Sequence, residues 1–195
     1  MTELLKKLNE VVIFDLEATC DDKSLVFNFD NETIEIGAVK IVDNEIIGEF
    51  STFIRPRDTH ITPFCTDLTT ITEADVAQAP DFITATTAFA QFIGNAKILS
   101  WGDYDRKQLR KDFERHGVTP PIWVERHVNF KKEFVQYKGI RPCGMKRALA
   151  HCGIPLEGTH HRGIDDARNI AKIYLHVKSE LDPFWHIKQK RKRKK

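Results

Sequence analysis

The 195-residue chain reads as an α/β layered domain with a mixed central sheet, and three observations lead there. Val11 to Phe14 is apolar at consecutive positions, the pattern of a strand covered on both faces. Two β-rich runs follow it as a hairpin, and the remainder alternates amphipathic helical segments with a further apolar strand. The length fits one domain, 1–187, and 41% hydrophobic with 30% charged residues is the balance of an ordinary globular chain.

Taken in order, β-branched and aromatic residues in VVIF make the opening strand, and Asp15 and Glu17 follow where it leaves the core. Cys20 to Asn31 is an acid-rich loop that carries Phe27 and Phe29. Ile34 to Val42 and Ile46 to Ile54 are strands joined at Asp43-Asn44, residues that tolerate the left-handed conformation a tight hairpin needs. Arg55 to Pro63 contains two prolines and reads as a connection. Phe64 to Gln78 fits one or two short helices. Pro80-Asp81 starts a clearer helix, with Phe82, Ala85, Phe89, Phe92 and Ile93 at helical spacing as a core face and Gly94 at its end. Ala96 to Trp101 is a second buried strand, and Arg106 to His116 a helix stopped by Gly117. Residues 127–135 read as a short edge strand, because Lys131, Lys132 and Glu133 interrupt the apolar run. Gly144 to His151 is a short helix. Ile164 to Leu181 is a long amphipathic one, with Ile164, Ala167, Ala171, Tyr174, Leu175 and Leu181 as its inner side.

The net charge of +2 hides an asymmetry: KQKRKRKK at 188–195 holds seven of the 30 basic residues and no acid. The body is therefore mildly acidic, and the tail reads as a separate disordered element able to hold phosphates without regard to sequence. Cys20, Cys65, Cys143 and Cys152 form no CxxC pair, which points to reduced thiols. No apolar stretch reaches the roughly 18–20 residues of a membrane span, and the first ten residues lack a secretory signal. A cytoplasmic location, with no membrane partner, is the expectation.

Strand side chains alternate faces, so Asp15 and Glu17 point the same way and repel unless a cation or proton lies between them. Asp105 follows the later strand as Asp15 follows the first. His160-His161-Arg162-Gly163-Ile164-Asp165-Asp166 places histidines and acids at the entrance of the last helix. Acids brought together from three segments require divalent cations, and hard oxygen donors suit Mg²⁺ or Mn²⁺. Paired ions of that kind clamp the attacking and leaving oxygens of a phosphodiester.

The segments FDLEATC, SWGDYDRKQL and HHRGIDDARNIA resemble the three motifs of the DEDDh branch of the DnaQ-like 3′-to-5′ exonucleases, a family with a ribonuclease H-like fold. The resemblance spans about Val11 to Leu181. It implies two metal ions, with Asp15 bridging both, Glu17 and Asp166 on the ion that activates water, and Asp105 on the other. It further implies His161 as general base and a nucleoside 5′-monophosphate as product. Phe64 and Tyr104 fall where relatives place base-stacking residues, and backbone groups around Leu16 and Ala18 where they line the sugar pocket. Both aromatics also fit a core role. Asp103 competes with Asp105, and a His160–Asp165 pair with His161–Asp166; the family pattern selects the second of each. DLEAT together with FCTDLTTIT is similar to the subfamily that trims small interfering RNA and stable RNA 3′ ends, which makes RNA with a free 3′ end the expected partner. A DNA-directed proofreading or repair exonuclease, or an inactive nucleic-acid-binding module, are the alternatives.

Overall fold

The computed structural model describes residues 8–22 and 30–181; Phe27, Phe29 and the basic run at 188–195 lie outside them. Strands β1 (Glu10–Ala18), β2 (Thr33–Val42), β3 (Glu45–Phe53), β4 (Lys97–Ser100) and β5 (Val128–Asn129) form a five-stranded sheet in the order β3-β2-β1-β4-β5. The first three pair antiparallel, whereas β4 joins β1, and β5 joins β4, in parallel. The sheet is mixed, as the alternation of elements predicts. Asp43 and Asn44 both adopt positive φ, 48° and 68°, the backbone twist that a two-residue hairpin turn requires.

Helices α1 (Pro63–Thr69), α2 (Glu73–Val76), α3 (Phe82–Ile93), α4 (Tyr104–Arg115), α5 (Ile122–Glu125), α6 (Phe130–Lys138), α7 (Met145–His151) and α8 (Gly163–Leu181) cover the sheet. Local chemistry sets their starts. The Thr62 hydroxyl accepts from the Cys65 N–H ahead of Pro63, and the Asp81 carboxylate from the Thr84 N–H, so each satisfies an amide that the helix leaves unpaired.

Alternation along β1 divides the core. Val11 and Ile13, with Val39 and Ile41 opposite them, pack beneath α6, α7 and α8 together with Leu99, Phe130, Phe134 and Tyr174. Val12, Phe14 and Leu16 face the other layer, where Phe82, Phe89, Leu109 and Phe113 of α3 and α4 cover them. Asp15 and Glu17 continue the first of these faces beyond the point where apolar packing ends.

Two expectations change. Residues 127–135 hold only the two-residue β5; from Phe130 the chain is helical. The Asn129 side chain caps α6 by accepting from the Lys132 N–H, and Phe130 and Phe134, four residues apart, are both fully buried, while Lys132 between them is exposed and Lys131 and Glu133 are half-buried. The inner face of α8 is also rotated. Asp166, Ala167, Ile170, Ala171, Ile173, Tyr174 and Val177 are buried, while Ile164, Leu175 and Leu181 are half-buried.

Candidate active site

Two glycines allow the close approach of α8 to the sheet. Gly37 on β2 lies directly opposite Asp15. A Cβ built on Gly37 would stand 2.0 Å from backbone atoms of Gly163 and Ile164, so the bare backbone at 37 lets the first turn of α8 land against the end of β1. That landing brings Asp166 to Asp15 and Glu17: one carboxylate oxygen from each lies within 4.8 Å of the others.

Asp105 arrives from the opposite layer. Pairing between β1 and β4 stops at Ile13 and Leu99, and beyond it the Leu16 N–H donates to Asp105 Oδ1 at 3.3 Å. Asp105 also accepts from the hydroxyl of buried Ser100, whose oxygen lies 2.8 Å from His127 Nε2. Asp103 is solvent-exposed, accepts from the Asn129 side chain at 2.8 Å and is not among the residues lining the cleft.

The resulting cleft, about 390 Å³, is lined by Asp15, Glu17, Asp105, Asp166, His160 and His161 together with Leu16, Trp101, Tyr104 and the Gly144–Lys146 segment. Burial, and the crowding of Asp105, Glu17 and Asp166, hold the Asp15 carboxyl well above the ordinary carboxylate range. Burial followed by the charge of Asp166 pushes Glu17 up to about 9. Burial also raises Asp105, to about 6, against the hydrogen bonds from Ser100 and Leu16. At neutral pH, acids that ionise this reluctantly cost the fold stability. Divalent cations would relieve the repulsion, and an all-oxygen donor set fits Mg²⁺ or Mn²⁺.

His160 and His161 stack with centroids 4.0 Å apart. His160 Nδ1 sits 3.0 Å from Asp166 Oδ2, the oxygen that also accepts from the His161 N–H at 3.1 Å. Burial and the neighbouring His160 lower the pKa of His161, keeping its ring neutral near pH 7. His161 holds φ at +64°, a strained conformation for a residue with a side chain, which aims its ring at the cleft wall. A His160–Asp165 pair does not form. Asp165 instead accepts from the Thr159 N–H at 2.8 Å and from Arg168 at 3.0 Å.

The expected stacking residues separate. Tyr104, 52% exposed, is on the cleft wall, whereas Phe64, 41% exposed on the first turn of α1, is not among the lining residues. Ala18 is buried at the end of β1, its carbonyl accepting from Cys65 Sγ, and is likewise absent from the lining.

Sequence reasoning passed over the residues that hold this arrangement. Glu35, opposite Glu17 and 1% exposed, accepts from Arg162 Nη2 at 3.1 Å, Arg162 Nε at 3.2 Å and the Gly163 N–H at 2.8 Å. This fork ties the histidine turn and the start of α8 to β2. Its signal is legible in hindsight: an acid between isoleucines in TIEIG occupies an inward-facing strand position.

The matches to known proteins agree with this geometry. Residues 12–174 match the exonuclease family RNase_T. The 3′-5′ exonuclease Snipper of Drosophila melanogaster is 28% identical over 188 residues, covering 84% of this chain and 67% of that protein. The probable 3′-5′ exonuclease KapD of Bacillus subtilis is 30% identical over 178 residues, covering 88% of this chain and 86% of KapD. Among solved structures, the nuclease domain of 3′hExo, a DEDDh family member bound to rAMP, has a TM-score of 0.84 at 24% identity, covering 89% of this chain and 94% of that one. The chain spans 64% of the 3′-exonuclease solved with a histone mRNA stem-loop, and 12% of the PolC-type DNA polymerase III of Clostridium perfringens. A mixed sheet that delivers acids from three separate segments to one cleft, matched along most of its length by these proteins, belongs to the exonuclease family.

Proposed function

We propose that the chain is a metal-dependent 3′-to-5′ exonuclease that hydrolyses phosphodiester bonds from a free 3′ end, preferably of RNA, and releases nucleoside 5′-monophosphates. The observation that carries this reading is the convergence of Asp15, Glu17, Asp105, Asp166 and His161 on one cleft. The four carboxylates would hold two Mg²⁺ or Mn²⁺ ions, which when bound supply charge compensation and Lewis acidity toward the phosphate. His161, neutral at pH 7 and partly open to the cleft, takes a proton from the attacking water. The water oxygen bonds to phosphorus as the P–O3′ bond breaks, and the 3′ oxygen of the shortened strand leaves and acquires a proton. Tyr104 offers its exposed ring to the terminal base, and backbone groups at Leu16 line the sugar side. Phe64 and Ala18 enter this reading only if the strand extends past the cleft toward α1.

RNA is favoured because a similar nuclease domain was solved with rAMP and a similar 3′-exonuclease with a histone mRNA stem-loop. The match to a DNA polymerase keeps DNA as the second reading. Incubating 5′-labelled and 3′-labelled strands of RNA and of DNA with Mg²⁺ or Mn²⁺ tests both. The expected result is a ladder shortening from the 3′ end, with nucleoside 5′-monophosphate released faster from RNA. A strong preference for DNA would replace RNA as substrate, and no mononucleotide from any 3′-hydroxyl strand would leave a nucleic-acid-binding module.

A further inference from the structure

Among the residues that line the cleft, Lys146 is the one lysine or arginine. It lies on the first turn of α7 with its side chain exposed, and no carboxylate of the described residues pairs with it. It is thus the basic side chain on a cleft wall that otherwise carries four carboxylates and two histidines. Its mount is firm on both sides. The Trp101 indole N–H donates to the Cys143 carbonyl at 3.1 Å, and Met145, Ala148 and Leu149 are buried in the core beneath α8. The backbone that carries Lys146 is therefore rigidly supported at the cleft wall, and its exposed side chain can reach a ligand there.

The carboxylates account for cations and, through them, for the scissile phosphate. A nucleic-acid strand carries one further negative charge per nucleotide, and the next phosphate along needs a cation supplied by the protein. We propose that Lys146 holds the phosphodiester immediately 5′ of the scissile one, fixing the register of the strand in the cleft through charge rather than base identity. This rests on the exonuclease reading of the cleft. Lys146 acts here as a positioning residue: it binds substrate without exchanging a proton in the reaction.

The test uses the full chain as wild type, Lys146→Ala and Lys146→Arg. The substrates are short oligoribonucleotides, either all-phosphate or with one neutral methylphosphonate at the second or the third linkage from the 3′ end. For wild type, neutralising the second linkage raises KM about tenfold, the worth of one charge-assisted hydrogen bond, and neutralising the third changes little. Lys146→Ala shows that same rise on the all-phosphate strand and no further loss when the second linkage is neutral. Its kcat stays close to wild type, and the dependence of log KM on log salt falls by about one phosphate contact. Lys146→Arg keeps KM near wild type, which excludes a folding defect as the cause. If Lys146→Ala leaves KM and salt dependence unchanged, or if the neutral-linkage penalty is equal in both proteins, the Lys146 assignment is overturned while the exonuclease reading stands. If wild type releases no mononucleotide, that reading fails and this inference falls with it.

Discussion

Replacing Arg162 with alanine strips the guanidinium from a carboxylate that β2 buries almost completely. Glu35 is 1% exposed and would keep only the Gly163 N–H, at 2.8 Å, of its three close donors. Removing one partner of a fully buried ion pair costs about 3–5 kcal/mol. Arg162 is 27% exposed in its side chain, so water reaches the vacated site and the cost falls to about 2–3 kcal/mol. Loss of the guanidinium from the Phe53 ring face, 5.3 Å away, adds a smaller amount. For a chain of this size that corresponds to a Tm lower by about 4–12 °C. Urea unfolding in EDTA, followed by far-UV circular dichroism, measures the change free of metal binding. The midpoint falls with the slope unchanged. The double variant Glu35→Gln/Arg162→Ala recovers part of the loss, because no uncompensated charge remains. Nuclease activity drops in Arg162→Ala more than stability alone explains, since the same fork steers His161 and Asp166. A loss under about 0.5 kcal/mol, the range of an ordinary surface substitution, or a double variant no more stable than Arg162→Ala, would refute the buried-clamp account.

Other expectations follow from the same geometry. Glu17 has its folded pKa raised from the ordinary 4.5 to about 9, so its stabilising contribution is complete below pH 4.5 and lost as pH rises toward 9. In EDTA the Tm therefore falls between pH 6 and pH 9, saturating Mn²⁺ removes most of that fall, and Glu17→Gln flattens it; equal slopes with and without metal would contradict the crowding of the acids. His161→Ala slows hydrolysis by roughly 10²- to 10⁴-fold. In wild type the acid limb of kcat lies below pH 6.5, the ordinary histidine value, because His161 is lowered; full activity in His161→Ala with loss in His160→Ala would move the base to His160. Asp15→Ala abolishes turnover and shrinks the Mn²⁺-induced rise in Tm, which calorimetry or a thermal melt reads without any substrate. Gly37→Ala drives a methyl into the backbone of Gly163 and costs about 1–3 kcal/mol or more, with activity lost first as α8 is pushed off β1.

The architecture was legible where periodicity and punctuation agree. VVIF, the Asp43-Asn44 turn, the Phe stripe of α3 and the length of α8 each state their structure locally, because burial alternates with period two in a strand and 3.6 in a helix. Reading failed where local composition conflicts with packing. Lys131, Lys132 and Glu133 look like the outward residues of an edge strand, and only the burial of Phe130 and Phe134 makes the segment helical. In α8 the apolar residues alone misstate the inner face, since Asp166 and Asn169 are buried there and Ile164 is half-open.

For the site, chemistry and order were readable and contact was not. Asp15, Glu17, Asp105, His161 and Asp166 are distinguished by residue type and motif spacing, properties of the linear chain. Which of the neighbouring alternatives points inward depends on helix rotation: Asp105 is buried and Asp103 exposed, Asp165 bonds Arg168 while Asp166 meets the strand acids. Glu35 shows locally only as an acid between isoleucines; its pairing with Arg162, 127 residues away, and the Gly37–Gly163 contact do not show in the linear chain. The glycine contact depends on two backbones passing closer than any side chain allows. By itself the sequence determined which acids and histidines this protein has and on which elements they ride. Only the tertiary structure decided that those groups share one cleft with Lys146 at its wall, because distance between elements comes from packing, to which each local stretch contributes without encoding the result.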